Sequence, residues 1–567
     1  MRPELPSGKN LDPEYLQSQA SYHFSLGQAH SLEGDSDKAI EEYKLALVYD
    51  SQSAIVHTRL AGEYVKKGLL TFAIDECKTA VGQDPKYVDA RLLLAGLYSS
   101  TRLVAEALEQ YDEVLKIDPS NSEAFVFKAS LLIDEGREQE AINVLNKLLA
   151  DDPDFFWGYY YLGRAYQKMG KAEPAIKAYR KALALKPSFP QGGLMLGVLL
   201  EEQKRPAEAI KVYEELYKNT GDAQAVGRLA QIHIEKEDFE KALKYLTILE
   251  QADEDNLNVK VKIGLIHVEK RRFDRAIDTF RAILEKNKDA ERVRYYLASV
   301  YEELKRYDEA IEEFRKISAS SAIHVDALVH IGNLYRLKGD MAKAMATAEN
   351  GIETDPDSPQ IHLFKASLLE EEKRLAQAAE FLEKTRGKFP KDEKVLYYLG
   401  SIYDKMNNQE AGIKVMSDLL ALNPENVQAL NYLGYTYVSR GEKMDLAESY
   451  ILHAMKLRPG DGYIQDTYGF FLLRNGNVRK ATVELEKAYK IKPDEAVIVE
   501  HLGDAYLRSN LKRKALEKYQ EASKLMVDAK SEPEEIRKID AKIQELKSAL
   551  NPPGDAAKAP PRKPAKQ

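Results

Sequence analysis

Residues 159–187 read YYYLGRAYQKMGKAEPAIKAYRKALALKP, and the small residues Gly163 and Ala175 decide how the stretch folds. Leu162, Ala165 and Tyr166 fall on one helical face, and Gly170 breaks that helix. Ala175, Ile176, Tyr179 and Ala182 then form the apolar stripe of a second helix, which Pro187 follows. Gly163 and Ala175 let the two backbones approach, while Tyr179 fills the gap between them.

The same unit recurs along the chain. From Gly163 the ladder runs back through Ala129, Ala95 and Ala61 to Gly27, and forward through Gly197, Ala230, Gly264 and Ala298 as far as Gly503. Twelve of its fourteen steps are 34 residues; one is 33 and one is 35. A second ladder of small residues, from Ala39 to Ala515, stays in phase behind the first. A fixed period of this length predicts an all-α solenoid, because each helix pair buries its apolar face only against its neighbours.

Leu162, Gly163, Tyr166, Ala175, Tyr179, Ala182 and Pro187 together resemble the signature of the tetratricopeptide repeat. The resemblance implies a right-handed superhelix of about fifteen helix-turn-helix repeats, with the first helices of successive repeats lining a concave face. Residues 20–529 are read as the repeats and 1–19 as an N-terminal segment. Residues 530–550 carry Ile536, Ile539, Ile543, Leu546 and Leu550 on one stripe and are read as a capping helix. The tail 551–567, rich in proline and lysine, has too little apolar content to fold. Turn prolines such as Pro187 are missing near Gly221, Asp255, Lys288 and Ala322, which predicts a softer central segment.

Composition narrows the function. The net charge of −8 comes from 83 basic and 91 acidic residues that are interspersed, which excludes the basic face of a nucleic-acid binder. Cys77 is the sole cysteine and reads as a small core residue, so no disulfide framework exists within one chain. No window approaches the roughly 20 apolar residues of a membrane helix. Residues 1–12 carry no apolar run of signal-peptide length. Neither a His-Glu-x-x-His pair, a phosphate-binding glycine loop nor a Gly-x-Ser-x-Gly elbow is present. The expectation is a non-enzymatic protein without cofactor or metal.

On the register that the resemblance implies, Trp157, Tyr160, Arg164 and Lys168 form one stripe along the first helix of repeat five, spaced by three, four and four residues. Aromatic rings beside cations suit an extended peptide, and an anchor of that kind is worth about 2 kcal/mol. The competing reading makes Phe156, Tyr159 and Tyr161 core residues and Trp157 a cover for its neighbour. The same register turns Asn431, Tyr435, Asp466, Phe470 and Asp504 toward the groove near the C-terminal end. Between the two patches, Glu201, Glu202, Glu235, Glu269, Glu302, Glu303, Glu370 and Glu371 recur near the ends of first helices, as an acidic strip or simply a solvated face.

The last three complete repeats bear a narrower resemblance, carried by Asn431, Tyr432, Leu433, Gly434 and Tyr435, by Asp466, Gly469 and Phe470, and by His501, Leu502, Gly503 and Asp504. They are similar to the C-terminal region of long bacterial envelope repeat lipoproteins, some of which are adaptors for a carboxyl-terminal processing protease. The leader and lipid-bearing cysteine of those proteins have no counterpart here. The resemblance implies an adaptor that holds a protein or peptide partner in its concave groove and delivers substrates to an envelope protease. Its location is then periplasmic or outer-membrane-associated where a leader has been removed, and cytoplasmic otherwise. A structural scaffold of a larger envelope or motility complex is the alternative.

Overall fold

The computed structural model describes residues 12–529 and 532–550. Among these residues thirty-one α-helices succeed one another from Pro13 to Leu550, and no strand occurs. Thirty helices form fifteen consecutive pairs, most of them thirteen and fourteen residues long, and Pro533–Leu550 follows the last pair alone. The chain divides into two compact units, Met1–Thr279 and Phe280–Gln567. Within each unit successive helices pack on one another, and several first helices of adjacent pairs touch, among them Ser122–Asp134 with Phe156–Lys168 and Val427–Arg440 with Gly462–Arg474. Each unit is therefore an α-solenoid whose first helices share one surface.

The glycines of the ladder are explained by what stands opposite them. A Cβ at Gly163 would lie 2.6 Å from Cε1 of Tyr179, and one at Gly197 would lie 2.2 Å from Cε1 of Tyr213. Gly27 faces Tyr43 and Gly503 faces Tyr519 in the same way. In each case the aromatic residue stands sixteen positions after the glycine, on the paired helix, and its ring is enclosed. Of the ladder alanines, Ala129 and Ala230 have the smaller Leu145 and Leu246 sixteen positions on, whereas Ala95 and Ala298 have the buried aromatics Tyr111 and Phe314. Cys77 belongs to this series as the residue opposite Ala61; it is fully enclosed, and burial pushes its thiol up to about 12.

The turn inside each pair needs a left-handed residue. Glycine supplies it at Gly34, Gly68, Gly136 and Gly170, but Arg102, Lys204, Lys305 and Lys373 adopt the same positive φ with a side chain attached. Many helix starts are closed by side-chain caps, among them Ser53, Asn121, Asp222, Asp392 and Asn426.

Three features depart from the uniform pattern. The first helix begins at Pro13, with Asp12 accepting from the Glu14 amide at 3.1 Å, so the N-terminal segment expected over 1–19 is helical from residue 13. The second helix of pair nine, Tyr307–Arg315, spans only nine residues, and an irregular connection over 316–323 leads to the helix His324–Leu337. This is one of the proline-free turns; Glu291 tethers it by accepting from the Ser318 amide at 2.9 Å. At Gly221, another of them, a left-handed glycine ends the helix and Asp222 starts the next, so capping replaces the proline.

The helix Pro533–Leu550 buries Ile539, Ile543 and Leu546 in the same core cluster as Tyr519, Ala522 and Met526 of pair fifteen. Residues 1–11 and the proline- and lysine-rich stretch 551–567 lie outside the described residues.

Candidate functional site

In the first unit, Trp157, Tyr160, Arg164 and Lys168 lie on the helix Phe156–Lys168. Trp157 is half-buried in a nest of rings, edge-on to Phe189 at 4.8 Å and to Tyr160 at 5.6 Å, with Phe125, Val126 and Leu148 beneath it. Tyr160 packs edge-on to Phe189 as well, and burial raises its hydroxyl pKa. The Arg164 guanidinium lies 5.3 Å from the Tyr161 ring and 3.3 Å from the Asp134 carboxylate. Lys168 donates to the carbonyls of Ile133 and Asp134, at the C-terminal end of the preceding first helix, where the helix dipole favours a cation. Much of this patch is thus used to bind repeat five to its two neighbours.

The acidic strip is largely committed too. In the first unit, Glu201 accepts from the Tyr213 hydroxyl at 2.6 Å, and Glu235 from Gln231 at 2.9 Å. In the second, Glu302 meets His330 at 2.7 Å, Glu370 takes Tyr398 and Lys405, and Glu371 takes Arg336 at 3.3 Å. Glu370 and Glu371 are paired with cations, whereas the neutral Gln231 leaves the Glu235 charge in place.

The second unit holds an open cavity of about 510 Å³. Four successive first helices build it: Glu393–Lys405, Val427–Arg440, Gly462–Arg474 and Ala496–Arg508. Tyr397, Tyr432, Tyr435 and Tyr463 supply aromatic walls, and Val497 and Ile498 supply apolar ones. Tyr397 and Tyr463 are 39% and 45% exposed, and Val497 is 49% exposed, so the cavity keeps large apolar faces in contact with water. Burial raises the pKa of the Tyr435 hydroxyl, and Asp466 adds to the shift.

Asn431, Tyr435 and Asp466 line this cavity, as the helical register implied. The Asn431 Oδ1 atom is buried and makes no hydrogen bond. Asp466 is enclosed and holds the Nδ1 of His501 at 2.9 Å through one carboxylate oxygen and 3.1 Å through the other. Phe470 stands behind the wall, stacked on His501 with centroids 4.4 Å apart and 5.6 Å from the Tyr435 ring. Burial alone would lower the His501 pKa, but the Asp466 charge and hydrogen bond, with Asp504 and Glu500, raise it. Asp504 faces away from the cavity lining and accepts from the Tyr519 hydroxyl at 2.6 Å and from Lys542 at 2.8 Å.

Sequence reasoning missed Tyr397, Tyr463, Glu495 and Lys542. The two tyrosines occupy first-helix positions three and six residues before their ladder glycines, a signal that was present. Lys542 had none, since it lies far along the chain from Asp504. Among the described residues no group of three or more His, Cys, Asp or Glu is placed to hold a metal ion, and no helix is long and apolar enough to cross a membrane.

Models of the tetratricopeptide repeat match residues 20–52, 66–131, 160–223, 261–323, 305–368 and 393–426, and a TPR repeat model matches 129–170, together more than half of the chain. The chain belongs to the tetratricopeptide repeat family. A curated TPR repeat-containing protein of Pseudomonas aeruginosa is 28% identical over 151 residues, a match that spans 26% of this chain and 26% of that protein. Among solved structures, a tetratricopeptide repeat protein from Parabacteroides merdae aligns at 16% identity over 44% of this chain and 99% of its own, with a TM-score of 0.34. PilF of Pseudomonas aeruginosa aligns at 22% identity over 37% and 96%, with a TM-score of 0.31. MamA of Desulfovibrio magneticus aligns at 20% identity over 29% and 94%, with a TM-score of 0.27. Tetratricopeptide folds serve in general as scaffolds that bind protein partners rather than as enzymes. Repeats of this kind suggest protein–protein interaction.

Proposed function

We propose that this tetratricopeptide protein is an adaptor that holds an extended segment of a partner protein in the cavity of its second unit. The observation that carries this reading is the cavity itself: exposed tyrosines and a valine stand around the buried, unpartnered Asn431 Oδ1. Aromatic rings supply large apolar area at little entropic cost, and a buried acceptor without a partner is costly until a donor arrives. A main-chain N–H of an extended segment is such a donor. Trp157 and Tyr160 form a second, smaller contact surface in the first unit.

The specific form of the proposal is a substrate adaptor for a carboxyl-terminal processing protease of the bacterial envelope. It rests on the likeness of the segments around Asn431, Asp466 and His501 to envelope repeat lipoproteins. The test is a photo-crosslinking amino acid placed at Tyr463, at Trp157 and, for contrast, at the exposed Phe72. A discrete adduct formed through position 463, with its partner peptide identified by mass spectrometry, supports the adaptor; a protease as that partner supports its specific form. Adducts at all three positions alike would contradict both.

An assembly scaffold is the second reading. It is favoured by the first helix, where Tyr15, Tyr22 and Leu32 leave apolar surface exposed, Leu32 at 90%. Substitutions in the cavity would then leave assembly intact.

A further inference from the structure

The charges that line the cavity constrain what occupies it. Asp461, Asp466 and Glu495 face a single cation, Arg458, whose guanidinium is 3.8 Å from Asp461. Asp461 also caps its helix by accepting from the amides of Tyr463 and Ile464, and Glu495 accepts from the Tyr463 hydroxyl. With the Asp466 charge offset by His501, the Asp461 and Glu495 carboxylates remain in the lining with the Arg458 guanidinium, beside the unpartnered Asn431 oxygen. The polar lining is rich in acceptors and needs donors from its occupant.

Farther along one of the cavity's helices, away from the cavity itself, carboxylates already receive a cation. The helix Ala496–Arg508, which gives Val497 and Ile498 to the cavity, also presents Glu500 and Asp504. Lys542 of the last helix seats its ammonium 2.8 Å from each of those carboxylates and 5.2 Å from the centre of the Tyr519 ring. Lys492 likewise stands 5.1 Å over the ring of Tyr463, at the cavity rim. A tyrosine ring of the cavity wall thus already receives a lysine cation, and carboxylates of the same helix Ala496–Arg508 receive another.

On the reading of the cavity as a peptide site, we infer that its occupant is a lysine- or arginine-bearing segment of a partner protein, and not an acidic segment or a free carboxyl end. The aliphatic stem of the side chain packs on the exposed tyrosines and Val497, and its cation meets the carboxylate lining.

The test is a positional-scanning library of fluorescein-labelled twelve-residue peptides with free and amidated C-termini, titrated against the full chain by anisotropy at low and high salt. Peptides with arginine or lysine at one position are expected to bind roughly tenfold more tightly than their glutamine or glutamate counterparts, with the advantage shrinking as salt rises. Glu495→Gln, which keeps a partner for the Tyr463 hydroxyl, is expected to remove most of that advantage. Circular dichroism of the variant checks that the helices persist. Equal binding of all charge classes, abolished by Tyr463→Ala, would overturn the basic-segment inference and leave the peptide site standing. Tighter binding of glutamate peptides or free C-termini would overturn the inference as well. No binding by any peptide in the library would overturn the peptide site and the inference together.

Discussion

Gly197→Ala tests the contact that packs the two helices of pair six. The new Cβ would stand 2.2 Å from Cε1, 2.3 Å from Cζ and 2.7 Å from the hydroxyl oxygen of Tyr213. Relaxed carbon contacts lie at about 3.5–4.0 Å, so the ring has to retreat by more than about 1 Å. Tyr213 is fully enclosed, and its hydroxyl donates to Glu201 at 2.6 Å, so it has little room to do so. Overpacking costs about 1–3 kcal/mol, loss of the hydroxyl bond adds about 1 kcal/mol, and alanine in place of glycine inside a helix returns about 1 kcal/mol. The expected net loss is about 2 kcal/mol, with stability read locally because each repeat contacts only its neighbours. Native-state hydrogen exchange should show amides of Pro190–Glu202 and Pro206–Thr220 exchanging about thirtyfold faster. In a Tyr213→Leu background the alanine should be tolerated, because Ala129 with Leu145 and Ala230 with Leu246 already use that pairing. Stabilisation of the otherwise native chain by Gly197→Ala would refute the reasoning, since only helix propensity would then be felt.

Lys204→Gly removes the penalty of a side chain at φ 56° in the turn of pair six and should raise stability by about 1 kcal/mol, read by urea unfolding. The short helix and proline-free connection of pair nine should make amides of Tyr307–Arg315 exchange faster than those of the fourteen-residue helix Met341–Thr354, measured by mass spectrometry. His501 has a folded pKa above its ordinary value, so its protonated pairing with Asp466 stabilises fully below about pH 6.5 and fades as pH rises through the folded pKa. Thermal unfolding of the native chain should therefore lose stability over that rise relative to His501→Gln, and parallel pH profiles would contradict the assignment.

The helix pairs were legible in the sequence because small residues recur at a fixed period where paired helices approach. Gly163 and Tyr179, or Gly197 and Tyr213, stand sixteen residues apart whatever the surface does, and a Cβ on either glycine would meet the ring. The groove residues were legible only as a register. Asn431, Tyr435 and Asp466 line the cavity, while Phe470 lies behind it and Asp504 is taken by Lys542. Spacing along one helix states which residues share a face; what covers that face depends on the next repeat. The ring density around Trp157 illustrates the limit, because Phe189 of the following repeat absorbs it. The Lys542 contact is set by how the last helix docks, which no periodic pattern encodes.

The cavity as the place where a partner segment is held is tested most directly by affinity. The peptide recovered from the crosslink at position 463 would be synthesised and titrated by calorimetry against the native chain and against Asn431→Ala, Tyr463→Ala and Trp157→Ala. Truncating a buried aromatic anchor typically costs about 2 kcal/mol or more, so Tyr463→Ala should weaken binding by at least about thirtyfold. Asn431→Ala, which removes the unpartnered acceptor, should weaken it by about tenfold, and Trp157→Ala should weaken it less than either. Undiminished affinity in both cavity variants would place the binding surface elsewhere on the solenoid and contradict the adaptor proposal.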